Sequence, residues 1–223
     1  MHFAAGQPSC CSMQFAMETL DPAERYKLLV NTITPRPIAW VVTRDEQGRC
    51  NAAPYSFFNA MGGTPPLVAI GMAADAQRAG TGDKDSLRAI RETGEFTVAL
   101  VDEAHAEAMN LTAVNAPPGE DELVLAGLQT APAARISAPL IASAPVQFEC
   151  KVWQLVETAP HSAIVIGEVL VTHIADQFLS EEDGKLRIDN PAMQLIGRTY
   201  AAGEYVRNSA PLHMDRKSWP LAE

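Results

Sequence analysis

The chain has 223 residues, of which 47% are hydrophobic and 20% are charged, and its formal net charge is −10 at pH 7. This length is enough for one full core or for a core with a sizeable insertion, and the composition is that of an ordinary globular protein. The acidic balance excludes a general attraction to nucleic acid or to an anionic membrane surface, so we expect neither partner. An anionic ligand would therefore need a local positive pocket.

The two ends of the chain are expected to lie outside the folded domain. We expect residues 1–20 to form a flexible arm, residues 21–210 to form a single domain and residues 211–223 to form a tail. Residues 1–15 lack a continuous apolar segment, which argues against a signal peptide, and no apolar run is long enough to span a bilayer. These features favour a cytoplasmic location.

The four cysteines do not have the spacing of a metal site. Cys10 and Cys11 are adjacent, whereas Cys50 and Cys150 are far apart in the chain. We therefore predict no metal ligands among them, and we interpret Cys50 and Cys150 as packed thiols in strands of a reduced protein.

The N-terminal part of the chain predicts a short helix followed by a β-hairpin. Asp21 is a suitable N-cap and Pro22 suits the first helical position, so a helix is predicted over 21–29. Strands are predicted over 38–43 and 50–58, because an apolar run is followed by a polar turn that contains a glycine.

The second strand of this hairpin has an unusual composition for a core strand. Ala52, Ala53 and Pro54 stand where larger apolar residues would be expected. Proline in a strand indicates an edge or a bulge, because it cannot donate a hydrogen bond to the ladder. Small residues beside the side chains of Asn51 and Ser56 suit a surface that a flat ligand approaches closely.

The centre of the chain alternates predicted strands with predicted helices. A buried strand is predicted over 67–72, and a helix that begins near Asp83 and ends at 93–94 follows it. A further strand is predicted over 95–101, and the alanine-rich residues 102–113 favour another helix.

The second half of the chain contains one proline-rich segment and two long strands. Residues 115–143 are predicted to be a mostly irregular insertion over the barrel, with one or two helical turns at 121–127. The partly alternating runs 145–157 and 161–174 predict two long consecutive strands, which favour an antiparallel barrel or sheet. The expected fold class is therefore mainly β with peripheral helices.

The segment Lys84-Asp85-Ser86 is the strongest candidate for an anion site. If Asp85 or Ser86 caps the helix, the first N–H groups of the helix point outward with a partial positive charge. A phosphate could then be held by these groups, by the Ser86 hydroxyl and by the Lys84 ammonium. An ordinary capped surface helix accounts for the same residues, because capping signals are common.

Other charged and titratable residues give weaker signals. Arg36 lies between two prolines, Arg198 follows a glycine and Arg49 lies beside the second strand, so each could serve an anion or remain a solvated charge. His161 and His173 have no histidine or cysteine at ligand spacing, so no metal site is expected. The motifs of serine hydrolases, dinucleotide-binding folds, P-loop NTPases and zinc proteases are missing from the sequence.

Several segments together resemble the flavin reductase-like, FMN-binding split-barrel family, which includes flavoredoxin-like proteins. They occur in order between Tyr26 and Arg207, and their order and spacing together carry the resemblance. The segments are TPRPIA (34–39), NAAPYSFF (51–58), PPLV (65–68), KDS (84–86), GEFTV (94–98), AMN (108–110), FEC (148–150), the stretch from His161 to GEV (167–169), and IGR (196–198) to Tyr205.

This resemblance implies an antiparallel FMN-binding split barrel that forms a homodimer and binds FMN non-covalently near the subunit interface. It implies that the strand 51–58 lines the isoalloxazine ring and that the segment 84–86 holds the phosphate, with Ser86 where threonine is commoner. The implied FMN-binding residues are Arg36, Pro37, Thr43, Asn51, Ala52, Ala53, Pro54, Tyr55, Ser56, Phe57, Phe58, Lys84, Asp85, Ser86 and Arg198. Reductase relatives have Gly-Asp-His where this chain has Ala159-Pro160-His161, so His161 is the candidate catalytic residue in a different turn.

The resemblance implies three functions that the residues do not distinguish. The first is an NAD(P)H:flavin oxidoreductase that uses NADH or NADPH as co-substrate and supplies reduced flavin to a partner oxygenase. The second is an electron-transfer protein that retains its FMN and exchanges electrons with another protein. The third is a non-catalytic module that binds flavin or another flat ligand. In the first two, the hydride and electron chemistry belongs to the flavin, so no acid–base dyad or nucleophile is required of the protein.

Overall fold

The computed structural model describes residues 13–74, 82–117, 119–200, 203–207 and 213–214. Most of the predicted N-terminal arm and most of the predicted C-terminal tail therefore lie outside the described residues, as do Cys10 and Cys11. None of the helices within the described ranges is long and apolar enough to cross a membrane.

The described part of the chain contains four α-helices and fourteen strands. The helices α1 to α4 span Pro22–Thr32, Asp85–Thr93, Ala106–Leu111 and Glu122–Leu125. The strands β1 to β14 span Arg36–Pro37, Ala39–Arg44, Cys50–Tyr55, Phe58–Gly63, Pro66–Met72, Glu95–Leu100, Thr130–Ala131, Leu140–Ile141, Val146–Ala159, Ser162–Ile174, Leu179–Glu182, Lys185–Ile188, Ile196–Arg198 and Tyr205–Arg207. Short 3-10 helices span Met17–Thr19, Glu103–His105, Asp176–Phe178 and Pro191–Met193.

Seven of the strands form one antiparallel sheet in the order β3-β2-β6-β9-β10-β5-β4. The predicted hairpin is the pair β2–β3, in which Thr43 is opposite Asn51 and Ala39 is opposite Tyr55. Strand β3 is an edge of the sheet, which confirms the interpretation of Pro54 as an edge-strand proline. The expectation of a mainly β, antiparallel fold is likewise confirmed.

The predicted strand 50–58 is wrong in its extent, because the chain turns at Ser56 and Phe57 and begins β4 at Phe58. The turn is held by the N–H of Gly71, which donates to the Phe57 carbonyl at 2.7 Å. A side chain at Gly71 would bring its Cβ to 3.0 Å from the Phe57 Cβ, so this close approach favours glycine. Strand β4 has no clear alternation of apolar and polar residues, which is why the sequence did not reveal it.

The sheet separates two hydrophobic clusters, because successive residues of a strand face opposite sides. Residues on one face pack with α2 and form the first cluster, whose members include Val41, Tyr55, Ile70, Leu87, Ile90, Phe96, Val98 and Val165. Residues on the other face pack with α3, α4 and β8 and form the second cluster, whose members include Trp40, Val42, Ala52, Met109, Leu123 and Ile141. The segment 115–143 thus contributes core residues although its regular elements are short.

The ends of the first two helices follow local sequence signals. Asp21 and Glu24 form a capping box at the start of α1, with the Glu24 N–H donating to the Asp21 carboxylate at 2.8 Å. Helix α2 ends at Gly94, which has the left-handed φ of 69° that glycine adopts without steric cost. The end of α2 is therefore where the sequence predicted it.

Candidate functional site

A cavity of about 460 Å³ opens between strand β3, the end of β5, the start of α2 and the loop that joins α3 to α4. We refer to it as the main cavity. Its lining comprises Tyr26, Asn51, Ala53, Pro54, Tyr55, Ser56, Phe57, Gly71, Ala73, Ala74, Lys84, Asp85, Ser86, residues 112–116 and Glu122.

Strand β3 forms one wall of the main cavity. Asn51 and Ala53 lie on the face that is turned towards α2, whereas Ala52 is fully buried in the second cluster on the opposite face. The N–H of Ala52 points away from β2 and donates to the Glu122 carboxylate at 3.2 Å. Pro54, two residues further along the same edge, has no N–H. Neither Ala52 nor Pro54 therefore leaves a free backbone donor on this edge.

The start of α2 forms a second wall. Its N-cap is Lys84, and no side chain caps it, so the expectation that Asp85 or Ser86 would act as the cap is wrong. Asp85 is instead the first helical residue and forms an ion pair with Arg88 at 2.7 Å. An uncapped helix start presents N–H groups with a partial positive charge, and here it does so beside the Lys84 ammonium.

A chain of three side chains links these two walls to α4. The Ser86 hydroxyl donates to Asn51 Oδ1 at 2.5 Å, and Asn51 Nδ2 donates to Glu122 Oε2 at 2.8 Å. Glu122 is only 5% exposed, and burial together with the nearby charge of Asp85 raises its pKa. Sequence reasoning missed Glu122 because its partners lie about seventy residues earlier, and the local signal predicted only the helical turn.

Tyr55 brings a second buried polar group to the main cavity. Its hydroxyl makes no hydrogen bond of normal geometry with the described residues, although the Ser86 side chain lies near enough to act against the rise in its pKa. Burial raises the pKa of this hydroxyl to about 12, so it stays protonated at neutral pH. An unpaired buried hydroxyl is unfavourable, and a ligand that offered it a partner would remove that penalty.

The remaining implied FMN-binding residues lie outside the main cavity. Arg36, Pro37 and Phe58 line a neighbouring apolar groove, and Thr43 lies in a small cavity behind Asn51. Arg198 lines a third cavity, which shares Tyr26, Pro54, Tyr55, Ser56 and Ala113 with the main cavity. The main cavity therefore brings together nine of the fifteen residues, which are Asn51, Ala53, Pro54, Tyr55, Ser56, Phe57, Lys84, Asp85 and Ser86.

The two terminal nitrogens of the Arg36 guanidinium are bound by the protein itself, whereas its buried Nε has no hydrogen-bond partner among the described residues. The terminal nitrogens donate to the carbonyls of Val30 and Ile33 at 2.7 and 2.8 Å, and to the carbonyl of Thr199 at 3.1 Å. Arg36 thereby ties the C-terminal end of α1 to the segment that follows β13. Arg198 lies with its guanidinium carbon 4.9 Å from the ring centroid of Tyr205, a cation–π distance.

His161 does not line the main cavity, and it does not begin a strand as predicted. It occupies the two-residue turn between β9 and β10 with a φ of 58°, a conformation that is uncommon for residues other than glycine. Its Nδ1 lies 2.9 Å from Asp83 Oδ1, and Arg91 donates to the other oxygen of Asp83 at 2.6 Å. The histidine therefore contacts the residue just before Lys84 rather than the wall formed by β3.

Metal-binding geometry does not occur among the described residues. No group of three or more histidine, cysteine, aspartate or glutamate side chains within those ranges is arranged to hold an ion. Cys50 and Cys150 are free, and burial raises the pKa of the Cys150 thiol to about 12, which makes it an inert core residue.

Comparison with known proteins places the chain in a family. The family model described as "Flavin reductase like domain" matches residues 31–202. The chain belongs to this family. An uncharacterized protein of Deinococcus radiodurans is 40% identical over 209 residues, which cover 92% of this chain and 90% of that protein.

Two solved structures are similar over nearly the whole chain. Nitrilotriacetate monooxygenase component B from Bacillus cereus shares 31% identity with a TM-score of 0.84, covering 92% of this chain and 100% of that one. The 2-nitrobenzoate 2-nitroreductase NbaA from Pseudomonas fluorescens shares 30% identity with a TM-score of 0.80, covering 94% and 99%. The fold is the split barrel that the sequence predicted, since a structure with that domain also superposes on this chain.

Family membership gives the cavity a chemical context. The flavin reductase-like family and its solved members support a flavin-related oxidoreductase function, and the family implies flavin binding. The composition of the main cavity fits such a ligand. Small side chains and Tyr55 form an apolar wall for a flat ring, and the uncapped start of α2 with Lys84 offers positive charge for a phosphate.

Proposed function

We propose that this protein binds FMN in the main cavity and acts as an NAD(P)H-dependent flavin oxidoreductase. The observation that carries the proposal is the uncapped start of α2, which lies beside Lys84 and Ser86 on the cavity whose other wall is β3. The first turn of α2 and one ammonium form a site for a phosphate, and β3 supplies the surface for a ring.

In this proposal the two ends of the ligand have different partners. The residues 51–58 hold the isoalloxazine ring, and Lys84, Ser86 and the first turn of α2 hold the phosphate. A bound FMN would supply the hydride and electron transfer, while the protein supplies binding and orientation. NADH or NADPH would be the reductant.

An oxygenase is the proposed acceptor of the reduced flavin. A similar structure is named as component B of a monooxygenase, which supports a two-component arrangement for this protein as well. We therefore expect the purified protein, with NADH and FMN, to sustain an oxygenase of such a system that has no reductase of its own.

We also propose that the protein is a homodimer. The apolar groove next to the main cavity exposes Leu29, Ile33, Phe57, Met61 and Ile164, whose exposed fractions run from 38% to 60%. Phe57 lines both the groove and the main cavity, so a second copy seated on the groove would complete the site. Light scattering at low micromolar concentration should give twice the 24.0 kDa of one chain, and a value near 24.0 kDa would contradict the proposal.

A second candidate function is electron transfer by a protein that retains its FMN without reducing it with a nicotinamide. The position of His161 favours this candidate, because the side chain is outside the main cavity and is engaged by Asp83. None of the histidines in the described ranges lines the main cavity. Anaerobic mixing with NADH or NADPH separates the two candidates.

The phosphate contacts are tested with the variant Lys84→Ala/Ser86→Ala. The variant removes charge-assisted contacts worth roughly 1.5–3 kcal/mol each before compensation by other groups and water, so FMN binding should weaken by at least about tenfold. Riboflavin, which lacks the phosphate, should be little affected. The exposed Lys185 in the β11–β12 hairpin provides a matched control, since Lys185→Ala removes the same charge elsewhere. An equal loss for both flavins would place the phosphate elsewhere.

The reductase activity is tested by anaerobic stopped flow with the wild-type protein and His161→Ala. We expect NADH or NADPH to bleach the flavin absorbance of the wild type. His161 lies outside the main cavity, so a slower variant with nearly unchanged FMN affinity would assign it a role in reduction rather than in flavin binding. If the wild type binds FMN but neither nicotinamide reduces it, the reductase proposal is wrong and electron transfer becomes the leading function.

A further inference from the structure

Glu122 places a negative charge on the wall of a cavity that is proposed to bind an anion. Its side chain lines the main cavity and is 5% exposed. It accepts two hydrogen bonds, from Asn51 Nδ2 and from the Ala52 N–H. Both donors are neutral, and no cationic side chain among the described residues forms an ion pair with Glu122, so the charge of the carboxylate is not neutralised nearby.

The carboxylate also determines which way the Ser86 hydroxyl points. Because Asn51 Nδ2 is held by Glu122, the Asn51 amide oxygen faces Ser86 and accepts the proton of its hydroxyl. A hydroxyl has one proton to donate. Ser86 therefore offers lone pairs rather than a donor to the cavity, and it must leave Asn51 before it can donate to a phosphate.

Both effects act against a phosphate at the start of α2. We propose that Glu122 is the residue that weakens phosphate binding in the main cavity, so that the flavin is held as an exchangeable ligand rather than a permanent cofactor. This inference rests on the proposed function. The charge and the orientation of the carboxylate affect FMN, which carries a phosphate, and have little effect on riboflavin, which does not.

Other charged groups face Glu122 from each wall of the cavity. Asp85 on α2 adds negative charge but is paired with Arg88, and Lys84 is the cation of the same wall. Tyr55 on β3 is neutral at physiological pH. Asp121, on the same loop, caps α4 by accepting from the N–H groups of the next turn. Asp85 and Glu122 are the carboxylates among the lining residues of the main cavity, and Glu122 is the one that forms no ion pair within the described ranges.

The test compares Glu122→Gln with Glu120→Gln. Glutamine at position 122 keeps an oxygen that accepts from Asn51 and Ala52 but removes the charge. Glu120 is an exposed residue of the loop that precedes α4, and it does not line the main cavity. At pH 8 we expect Glu122→Gln to bind FMN about tenfold more tightly than wild type, with riboflavin within about twofold, as removal of one nearby charge would give. Glu120→Gln should match wild type for both flavins.

The pH dependence gives a second readout. The ratio of the FMN dissociation constants of wild type and Glu122→Gln should be largest at pH 8 and should approach one as the pH falls and the carboxyl group takes up a proton. Protonation of the FMN phosphate occurs in both proteins and cancels in this ratio. A ratio that stays constant with pH would overturn the inference.

The outcomes separate this inference from the proposed function. If wild type binds neither flavin, the proposed function fails and the inference fails with it. If FMN binding depends on Lys84 but Glu122→Gln binds FMN as wild type does, or shifts FMN and riboflavin equally, then Glu122 has only a structural role and the inference alone is overturned.

Discussion

Two buried glutamates in this protein have opposite electrostatic environments. Glu149 on β9 is fully buried and accepts from the N–H groups of Ala134 and Arg135 at 2.8 and 2.7 Å and from His173 Nε2 at 2.7 Å. Glu122 on α4 is nearly as buried but accepts from one backbone N–H and one amide. One carboxylate lies inside the fold, and the other lies on the wall of a cavity.

The difference in donors reverses the effect of burial. Burial alone raises the pKa of a carboxyl group, but at Glu149 the two backbone hydrogen bonds and His173 outweigh burial and lower the pKa. At Glu122 burial prevails, and the charge of Asp85 acts in the same direction. At Glu149 the backbone N–H groups and His173 together outweigh burial, whereas at Glu122 all the donors are neutral and burial prevails.

The largest effect is expected for Glu149→Ala, which tests the structural half of the comparison. Two backbone N–H groups and one imidazole would lose their buried acceptor, so the free energy of unfolding should fall by about 3 kcal/mol. Urea unfolding at pH 7 measures it. Glu181→Ala, in the exposed β11–β12 hairpin, is the control and should leave the midpoint unchanged. A loss below about 1 kcal/mol would mean that the cluster is solvated.

A smaller effect is expected when the pH is lowered. Because the pKa of Glu149 is lower in the folded state than the ordinary value of 4.5, its contribution is fully present above pH 4.5 and is lost as the pH falls through the folded value. The stability difference between wild type and Glu149→Gln should therefore shrink below about pH 4.5. Urea unfolding at pH 7, 5, 4 and 3 measures this difference, and a constant difference would contradict the assignment.

The smallest effect is expected for the stability of Glu122→Gln, and its sign is opposite. Because the pKa of Glu122 is raised in the folded state, the ionised carboxylate opposes folding at neutral pH, and this penalty disappears at low pH. The variant should therefore be as stable as wild type or more stable by up to about 1 kcal/mol at pH 7. Thermal unfolding at pH 7 and pH 4 measures it. A marked destabilisation would show that Glu122 resembles Glu149.

The sequence predicted those parts of the fold and site that depend on neighbouring residues. Pro54 indicated an edge strand, and the pattern around Asp21 and Pro22 located α1. The start of α2 was predicted near Asp83, although Lys84 rather than Asp85 or Ser86 is its N-cap. In each case a backbone constraint acts over a few residues, so it is visible in a short window of sequence.

The features that were missed depend on contacts between distant segments. Glu122 contacts Asn51 and Ala52 on β3, and Arg36 donates to the carbonyls of Val30 and Ile33 at the end of α1. The turn at 56–57 depends on Gly71 in a later strand. No local pattern encodes these contacts, and without the fold the same residues support several roles.

The position of the turn at 56–57 has a consequence for how this fold can change. Strands β3 and β4 are consecutive in the chain yet occupy opposite edges of the seven-stranded sheet, so the turn bridges the line along which the barrel is open. Strand β3 takes its register from β2 alone, and β4 takes its register from β5 alone. Residues inserted at this turn would disturb the Gly71–Phe57 hydrogen bond but would leave the registers of both edge strands unchanged, so the turn is a place where the cavity wall can be altered while the strand pairing stays fixed.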